Sequence, residues 1–398
     1  MATPPGSYYS EVDAEPLERY YVGGYHPTHL GDTFRSGRYK ILHKLGWGGY
    51  ATVWLARDSK LKRNVAIKIL VSESSPEDHE LRMLKLLSDG PLDHPGRKNT
   101  MQMLEHFDHV GPKGRHRCLV LELLGPNISL EAESYDSDRL PGRLAWEVTK
   151  QTTQALDYIH KSGIAHGGNI VFANTGLSHQ SDVHILSSMD QTETSDVHAS
   201  PGYPLNSHLP RSLVAPTSLP VSTKESGSWE VKVVDFGQAF MHGDQREIRC
   251  PLVFRAPEVI LTSQWDSRID IWSLGCTIFE IIVGYPPFDN MMPTREGLVR
   301  EWIAMFGQLP EGWSDRAADH KENADSVIEP VTLRKWLFDT YFENDKKADF
   351  SGTDMERLAD LLASMLTYLP CARPQAAELL EHAWFQTNSV VQRYCTEI

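Results

Sequence analysis

Two short motifs in the second half of the chain constrain its fold most. Asp235-Phe236-Gly237 directly follows Val231–Val234, a mostly β-branched run that predicts a buried strand. Ala256-Pro257-Glu258 follows further on, and no Ser, Thr or Tyr lies between Gly237 and Ala256. An aspartate placed directly after a strand can present its carboxylate to a hard metal ion. Asp235 is therefore a candidate metal ligand, and the two motifs bound a stretch that contains no hydroxyl side chain.

A glycine-rich turn and a lysine-bearing strand precede these motifs. Leu45-Gly46-Trp47-Gly48-Gly49-Tyr50-Ala51-Thr52-Val53 spans a turn between two predicted strands, and Val65-Ala66-Ile67-Lys68 lies on the next one. Glycines let the backbone approach phosphate groups closely. Ala51 replaces the third glycine of G-x-G-x-x-G, so an ordinary glycine-rich hairpin would look similar. The order and spacing of the turn and Lys68 favour phosphate binding.

A carboxylate is needed to hold Lys68 in place. A helix is predicted to start at Ser75-Pro76, where a hydroxyl N-cap precedes proline at the first helical position. Glu80 on this helix is the preferred partner of Lys68, and Glu77, one turn earlier, is the alternative.

The predicted elements indicate an α+β chain in which a small β-rich part precedes a larger helical part. Strands are expected within residues 40–56, 64–71, 117–124 and 231–234, a long helix at 144–161, and mostly helices from Ile269 onward. Residues 1–38 are interpreted as an extended N-terminal leader and 386–398 as a C-terminal tail. Residues 174–227 are rich in Ser, His, Pro and Thr with few clustered apolar residues, which predicts a partly disordered insert.

The motifs continue with Asp270-Ile271-Trp272-Ser273-Leu274-Gly275 and Arg373, and together they resemble the eukaryotic protein kinases over residues 39–385. The resemblance implies a bilobal fold, with an N-lobe and hinge at 39–124 and a C-lobe at 125–385, that binds ATP and Mg²⁺. The nucleotide-binding residues that it implies are Leu45, Gly46, Gly48, Val53, Ala66, Lys68, Glu80 and Leu121, together with backbone groups of Glu122 and Leu124. It implies Asp235 and Asn169 as metal ligands. It also implies three structural residues: Glu258, which would pair with Arg373, and Asp270, which would bond to the catalytic-loop backbone.

Within that superfamily the chain is similar to the SR-protein kinases, which phosphorylate serines in Arg/Ser-rich segments of splicing factors. The residues that carry this closer resemblance are Gly24-Tyr25-His26-Pro27, Leu30-Gly31-Asp32, Lys44-Leu45-Gly46-Trp47-Gly48, Thr52-Val53-Trp54-Leu55-Ala56 and Asp235-Phe236-Gly237-Gln238-Ala239-Phe240. An insert that divides the kinase core is also typical of that family. The resemblance implies Arg/Ser-rich protein substrates.

The catalytic loop departs from the kinase pattern. In H-R-D-L-x-x-x-N the asparagine follows the histidine by seven residues, whereas His166-Gly167-Gly168-Asn169 leaves a gap of three. Gly168 or Ile164 would occupy the position of the aspartate base, depending on the direction of counting, and neither accepts a proton. We expect strong impairment of phosphoryl transfer, which depends on positioning.

Three interpretations remain open for this loop. A recent deletion or a gene-model error would leave an active relative with an aspartate between Gly167 and Gly168. An ATP-binding pseudokinase scaffold is the second, and a splicing-associated binding module without nucleotide is the third.

Phosphorylation of hydroxyls cannot order the segment between Gly237 and Ala256, so we expect its own packing to hold it. Cys250, Pro251, Leu252 and Phe254 would take part in that packing.

Composition limits the partners of the chain. The net charge is −14, from 39 Lys and Arg against 53 Asp and Glu, which disfavours nucleic acid and favours basic peptides, although it could also serve solubility alone. Five cysteines without CxxC spacing suit free thiols. No signal peptide and no apolar run of membrane-spanning length is visible. We expect a monomer in cytoplasm and nucleus that acts on proteins, without direct contact with nucleic acid or membrane.

Overall fold

The computed structural model describes residues 6–73, 79–125, 127, 132–133, 135, 139–167, 171–174, 180–187, 189, 191–204, 209–217, 219, 230–288, 292–313, 331–343 and 349–386. The chain forms two compact units. Unit 1 comprises Met1–Ser88, Met101–Pro126 and Ala173–Glu225, and unit 2 comprises Asp89–Thr100, Asn127–Phe172 and Ser226–Ile398. The insert therefore belongs to the unit of the N-terminal strands, whereas the sequence placed it within the larger helical part.

The strands lie mostly in the first third of the chain. Their bounds are β1 Tyr8–Tyr9, β2 Thr33–Phe34, β3 Tyr39–Gly48, β4 Ala51–Asp58, β5 Arg63–Leu70, β6 Met103–Gly111, β7 Gly114–Glu122, β8 Ile164–Ala165, β9 Val171–Asn174, β10 Thr194–Asp196, β11 His198–Ala199, β12 Ser212–Val214, β13 Val231–Val234 and β14 Phe240–Met241.

The helices lie mostly in the second half. Their bounds are α1 His79–Ser88, α2 Gly142–Lys161, α3 Asp182–Ser187, α4 Pro257–Leu261, α5 Ile269–Val283, α6 Arg295–Phe306, α7 Leu333–Phe342, α8 Gly352–Met365, α9 Ala376–Leu380 and α10 Ala383–Gln386. In the described residues none of them is both long and apolar enough to cross a lipid bilayer.

Unit 1 contains a six-stranded antiparallel sheet in the order β2-β3-β4-β5-β7-β6. Successive strand residues point to opposite faces, and one face of β5 supplies Val65, Ile67 and Ile69 to a buried core. Trp54 on β4 and Val120 on β7 join the same core. Lys68 therefore lies on the opposite face of β5.

The described part of the insert packs within unit 1, and partial disorder of the insert stays a prediction, because the rest of it lies outside the described residues. β10 pairs with β12, and β11 pairs with β1 of the leader. Val214 reaches the core of the six-stranded sheet. A second hydrophobic cluster joins the leader, the insert and the residue that follows β5. Its buried members are Tyr8, Leu17, Tyr20, Tyr25, Val71, Val197, Leu209 and Leu213. The leader is likewise packed rather than merely extended.

Unit 2 is built around α5. Nearly every residue of this helix is buried, as expected for a helix that is apolar on all sides. It ends at Gly284, whose φ of 108° is the left-handed conformation that glycine adopts without strain. Ser351 and Asp354 form a reciprocal capping box at the start of α8. The buried helix carries Asp270 in its first turn and so fixes the position of this acidic residue.

Candidate active site

The glycine-rich turn of unit 1 joins β3 and β4. Gly46 pairs with Val53 and Gly48 with Ala51, and Leu45 and Val53 are half-buried beside the turn. A Cβ built on Gly46, Gly48 or Gly49 would have no heavy atom of the described residues within 4 Å. The backbone of the turn thus borders open space on the side where side chains would project, and this suits a close approach of phosphate groups.

Lys68 and Glu80 form the ion pair that the sequence suggested. Lys68 Nζ lies 2.7 Å from Glu80 Oε1, and the Glu80 side chain is 8% exposed. β5 places Lys68 opposite Val53 on one neighbouring strand and Leu119 on the other, and α1 supplies Glu80 in its first turn. A lysine fixed in this way presents its ammonium at one point in space. The alternative partner, Glu77, lies outside the described residues.

The predicted hinge strand, residues 118–125, begins within β7 and extends beyond its end. Leu121 is buried and pairs with Ala66 on β5. The Glu122 N–H donates to the Gln102 carbonyl at 3.4 Å, and the Glu122 side chain accepts from the Gln102 N–H at 2.7 Å. Leu124 is half-buried just beyond the strand. These contacts do not test whether backbone groups of Glu122 and Leu124 bind adenine, so that role stays a prediction.

In unit 2, Asp235 follows β13 in a strained conformation. Its φ of 63° is unusual for a residue other than glycine, and its carboxylate accepts the Gly237 N–H at 3.4 Å. Asp235 is exposed, whereas Phe236 is fully buried and meets the His166 ring edge-to-face at 5.2 Å. Backbone strain of this kind clusters at functional sites. The buried Phe236 holds the turn that exposes the Asp235 carboxylate.

The described residues contain no cluster of three or more His, Cys, Asp or Glu side chains that could hold a metal. Mg²⁺ usually takes one or two carboxylates and completes its shell with water and substrate phosphates. A single exposed carboxylate at Asp235 fits that kind of site. The second predicted ligand, Asn169, lies outside the described residues.

Asp270 organises the start of the catalytic loop. Its carboxylate accepts the His166 N–H at 2.7 Å and the Gly167 N–H at 2.9 Å. Burial alone would raise the pKa of Asp270, but the bond from His160, the charges of His160 and His166 and the Gly167 N–H together lower it. Asp270 therefore stays ionised and acceptor-only.

Gly167 can only be a glycine in this arrangement. Its φ is 67°, and an added Cβ would lie 2.8 Å from the Gln238 carbonyl oxygen. His166 Nε2 lies 2.9 Å from the Val234 carbonyl oxygen, to which the ring N–H donates. These contacts account for His166 and Gly167. Of the two predicted occupants of the base position, Ile164 is buried in β8, and Gly168 lies outside the described residues.

His160 is a functional residue that the sequence motifs did not identify. It lies near the end of α2, and its Nε2 is 2.9 Å from Asp270 Oδ2. The two residues are 110 positions apart in the chain, so no local pattern connects them. The only available signal was a histidine on a predicted helix shortly before His166.

Glu258 and Arg373 form a buried two-bond pair, as predicted. Arg373 Nη1 and Nη2 lie 2.6 and 2.8 Å from the two Glu258 oxygens. Arg373 also donates to the carbonyls of Arg268 and Tyr368. Bidentate arginine–carboxylate pairs of this kind combine strength with fixed geometry. The pair anchors the end of the segment that begins at Asp235.

The segment between these anchors is held partly by its own residues. Cys250 and Phe254 are buried, whereas Pro251 is exposed and Leu252 only half-buried. Arg255 Nη2 donates to the Cys250 carbonyl at 2.5 Å, and Ser273 of α5 donates to the Phe254 carbonyl at 2.9 Å. Packing was therefore predicted correctly for two of the four residues. A constitutively set segment stays a prediction.

The chain belongs to the protein kinase family: its sequence matches the protein kinase domain over residues 39–203 and 221–385. The β-rich unit and the helical unit have the α+β architecture predicted for that family. A serine/threonine protein kinase of Aspergillus fumigatus is 30% identical over 394 residues, which cover 94% of this chain and 91% of the relative. Serine/threonine-protein kinase SRPK of Physarum polycephalum is 30% identical over 408 residues, which cover 94% and 92%.

A shorter match extends to vertebrates. SRSF protein kinase 3 of Homo sapiens is 35% identical over 160 residues, which cover 39% of this chain and 28% of the relative. By family the chain is a serine/threonine protein kinase of SRPK type, a transferase whose family generally uses ATP and Mg²⁺. The predictions of fold and family are confirmed.

Proposed function

We propose that this chain binds Mg-ATP and acts on Arg/Ser-rich segments of splicing factors, with phosphoryl transfer impaired by its shortened catalytic loop. The Lys68–Glu80 pair at 2.7 Å carries the nucleotide part of the proposal, because it fixes a cation beside the glycine-rich turn. Lys68 would pair with the α and β phosphates and Asp235 would hold Mg²⁺, which when bound neutralises phosphate charge. The names of relatives, among them SRSF protein kinase 3, support the substrate part.

The charge of the chain agrees with a basic substrate. A net charge of −14 creates an attractive field for Arg-rich peptides. Carboxylates pair best with arginine, whose planar guanidinium gives two parallel bonds.

The described cysteines Cys118, Cys250, Cys276 and Cys371 are free thiols, which supports the proposed location in cytoplasm and nucleus. Detection of a fluorescently tagged chain in a secretory compartment would contradict that location.

Nucleotide binding is tested by calorimetric titration with Mg-ADP. The wild type should bind, and Lys68→Ala should bind at least tenfold more weakly because one charge-assisted contact is worth about 1.5–3 kcal/mol. Lys40→Ala is the matched control, since Lys40 is an exposed lysine on a strand of the same sheet. Absence of binding by the wild type would favour a splicing-associated binding module without nucleotide.

Impairment is tested by restoring the loop. We expect a variant with four residues inserted between Gly167 and Gly168, including an aspartate, to phosphorylate an Arg/Ser peptide about 10²- to 10⁴-fold faster than the chain as it stands, the range of general base catalysis. Equal rates would contradict the proposed impairment. Sequencing the transcript across the His166 to Asn169 codons distinguishes a gene-model error from a true deletion.

An ATP-binding scaffold is the second candidate function. It is favoured because the chain keeps Lys68, Glu80 and Asp235 although its sequence has no aspartate between His166 and Asn169. A scaffold would bind Mg-ADP and the Arg/Ser peptide together, and it would transfer no phosphoryl group from Mg-ATP to the peptide in single-turnover assays. Transfer that Asp235→Ala abolishes would instead identify an enzyme.

A further inference from the structure

Leader residues contact the backbone of the glycine-rich turn directly. The Tyr25 hydroxyl donates to the Gly48 carbonyl at 2.7 Å. Arg19 Nη2 donates to the Gly49 carbonyl at 2.6 Å. Two consecutive peptide carbonyls of the turn are therefore bonded to side chains that lie outside the β3–β4 hairpin.

The same leader residues are fastened to the segment that follows β5. The Tyr21 hydroxyl donates to the Glu73 carboxylate at 2.9 Å, and Arg19 Nη2 lies 3.4 Å from Glu73 Oε1. Backbone bonds add to this attachment, because the Glu73 N–H donates to the Gly23 carbonyl at 2.6 Å. We call Arg19, Tyr21, Tyr25 and Glu73 the leader latch. It connects the glycine-rich turn to the segment that leads towards α1.

The backbone of the leader is shaped to present these side chains. An added Cβ on Gly24 would lie 1.8 Å from the Arg19 carbonyl oxygen, which accepts the Tyr25 N–H at 3.0 Å. Glycine is required at this position, which explains one member of the Gly24-Tyr25-His26-Pro27 motif. Burial is the main cause of a raised pKa for Tyr25, so its hydroxyl remains a donor at neutral pH.

The latch also orients the amides of the turn. In a trans peptide the carbonyl of one residue and the N–H of the next point in opposite directions. Carbonyls of Gly48 and Gly49 that face Tyr25 and Arg19 therefore direct the N–H groups of Gly49 and Tyr50 away from the leader. Backbone N–H groups of glycine-rich turns are the donors that bind phosphate oxygens.

We propose that Arg19 and Tyr25 are positioning residues that hold the glycine-rich turn in the conformation that binds nucleotide phosphates. This inference rests on the proposed nucleotide binding. A turn with three glycines has many accessible conformations, and selecting one of them in advance removes an entropic cost from binding. The leader thereby contributes to nucleotide affinity without touching the nucleotide.

Calorimetric titration of the full chain with Mg-ADP tests the latch. Tyr25→Phe removes one hydroxyl and keeps the buried ring, and we expect its dissociation constant to rise roughly three- to tenfold, as for the loss of one hydrogen bond. Arg19→Gln should have an effect of similar size. Tyr8→Phe is the matched control, because Tyr8 is a buried leader tyrosine whose hydroxyl donates at 3.0 Å to the Pro204 carbonyl of the insert.

Hydrogen exchange of residues 46–51 without nucleotide gives an independent readout. Exchange should be faster in Tyr25→Phe than in the wild type, and unchanged in Tyr8→Phe. Unaltered exchange together with unaltered affinity in both latch variants would overturn the inference. An equal loss in Tyr8→Phe would also overturn it, since the effect would then be general destabilisation. Failure of the wild type to bind Mg-ADP would contradict the proposed function. The comparison of hydrogen exchange would still decide whether the leader latch orders the glycine-rich turn.

Discussion

Asp270 shows how much one buried carboxylate can organise. It accepts two backbone N–H groups from His166 and Gly167 and lies 2.9 Å from His160 Nε2. An asparagine has the same shape but offers one acceptor oxygen and turns its amide N–H₂ towards a donor. One buried N–H group would then lose its partner.

Asp270→Asn should lower the free energy of unfolding by about 2–3 kcal/mol, the cost of breaking a buried charge-assisted bond. Urea denaturation followed by tryptophan fluorescence measures this. Asp266→Asn is the control, because the Asp266 side chain is 49% exposed and should change stability by less than about 0.5 kcal/mol. Equal midpoints for the two variants would show that Asp270 is not the organising group.

Three histidines pack together in unit 1: His26 and His116 are buried and His109 is half-buried. The ring of His26 lies 4.7 Å from that of His109 and 5.0 Å from that of His116. Burial, together with the neighbouring His116, His109 and His29, lowers the pKa of His26 to about 3. Burial also lowers the pKa of His109, against the opposing charge of Asp32, and that of His116. All three rings are therefore neutral in the folded chain at pH 7.

This group should make the protein sensitive to acid. In the unfolded chain His26 takes up a proton near pH 6.5, whereas in the folded chain it stays neutral down to about pH 3. Its contribution to the free energy of unfolding is therefore fully present above pH 6.5. It is lost as the pH falls towards 3, by up to about 1.4 kcal/mol per pH unit. Urea midpoints at pH 7.5 and 5.5 measure the loss. His26→Phe should reduce the difference, whereas His198→Phe, at an exposed position, should leave it unchanged. Identical pH dependence in wild type and His26→Phe would exclude His26 as the source.

Strands with regular apolar patterns were predictable, and those without them were not. Val231–Val234 matches β13, and residues 64–71 nearly match β5. β6 was missed because four of its 9 residues are charged or histidine and none is fully buried, as at the edge of a sheet. Its partner β7 supplies the bonds that make it a strand, and nothing in the local sequence encodes that pairing.

The packing of the insert's described residues could not be predicted, for a related reason. Its buried apolar residues, such as Val197, Leu213 and Val214, are separated along the chain and come together only against the leader and the sheet. A window of local sequence therefore shows a polar segment. The apolar surface that orders it lies in residues far away in the sequence.

Val214→Ala tests whether the insert stabilises the sheet. Val214 is 3% exposed within the sheet core, so truncation should cost about 1–3 kcal/mol in urea denaturation through lost burial and a small cavity. Val183→Ala is the matched control in the same insert, because Val183 is 79% exposed and should be neutral. A neutral Val214→Ala would mean that the insert contributes nothing to the sheet.

For the molecule as a whole, a contact of the site could be predicted where both of its side chains stand at recognisable positions in the sequence. Lys68 with Glu80 and Glu258 with Arg373 appear as residue types at recognisable positions. The leader latch could not be predicted, since Tyr25 bonds to a backbone carbonyl, and every residue has one. The role of His160 could not be predicted, because only the tertiary fold brings it to Asp270.

Long-range electrostatics give the last prediction. With a net charge of −14, the chain should attract an Arg/Ser peptide more strongly at low ionic strength, where the Debye length is about 30 Å at 0.01 M against 8 Å at 0.15 M. Fluorescence anisotropy with a labelled peptide should show affinity that falls several-fold between these salt concentrations. A Lys/Ser peptide of equal charge should show a similar salt dependence but weaker binding, because lysine does not form bidentate pairs with carboxylates. Equal affinity for the two peptides at every salt concentration would mean that net charge alone determines recognition, and would contradict a preference for arginine.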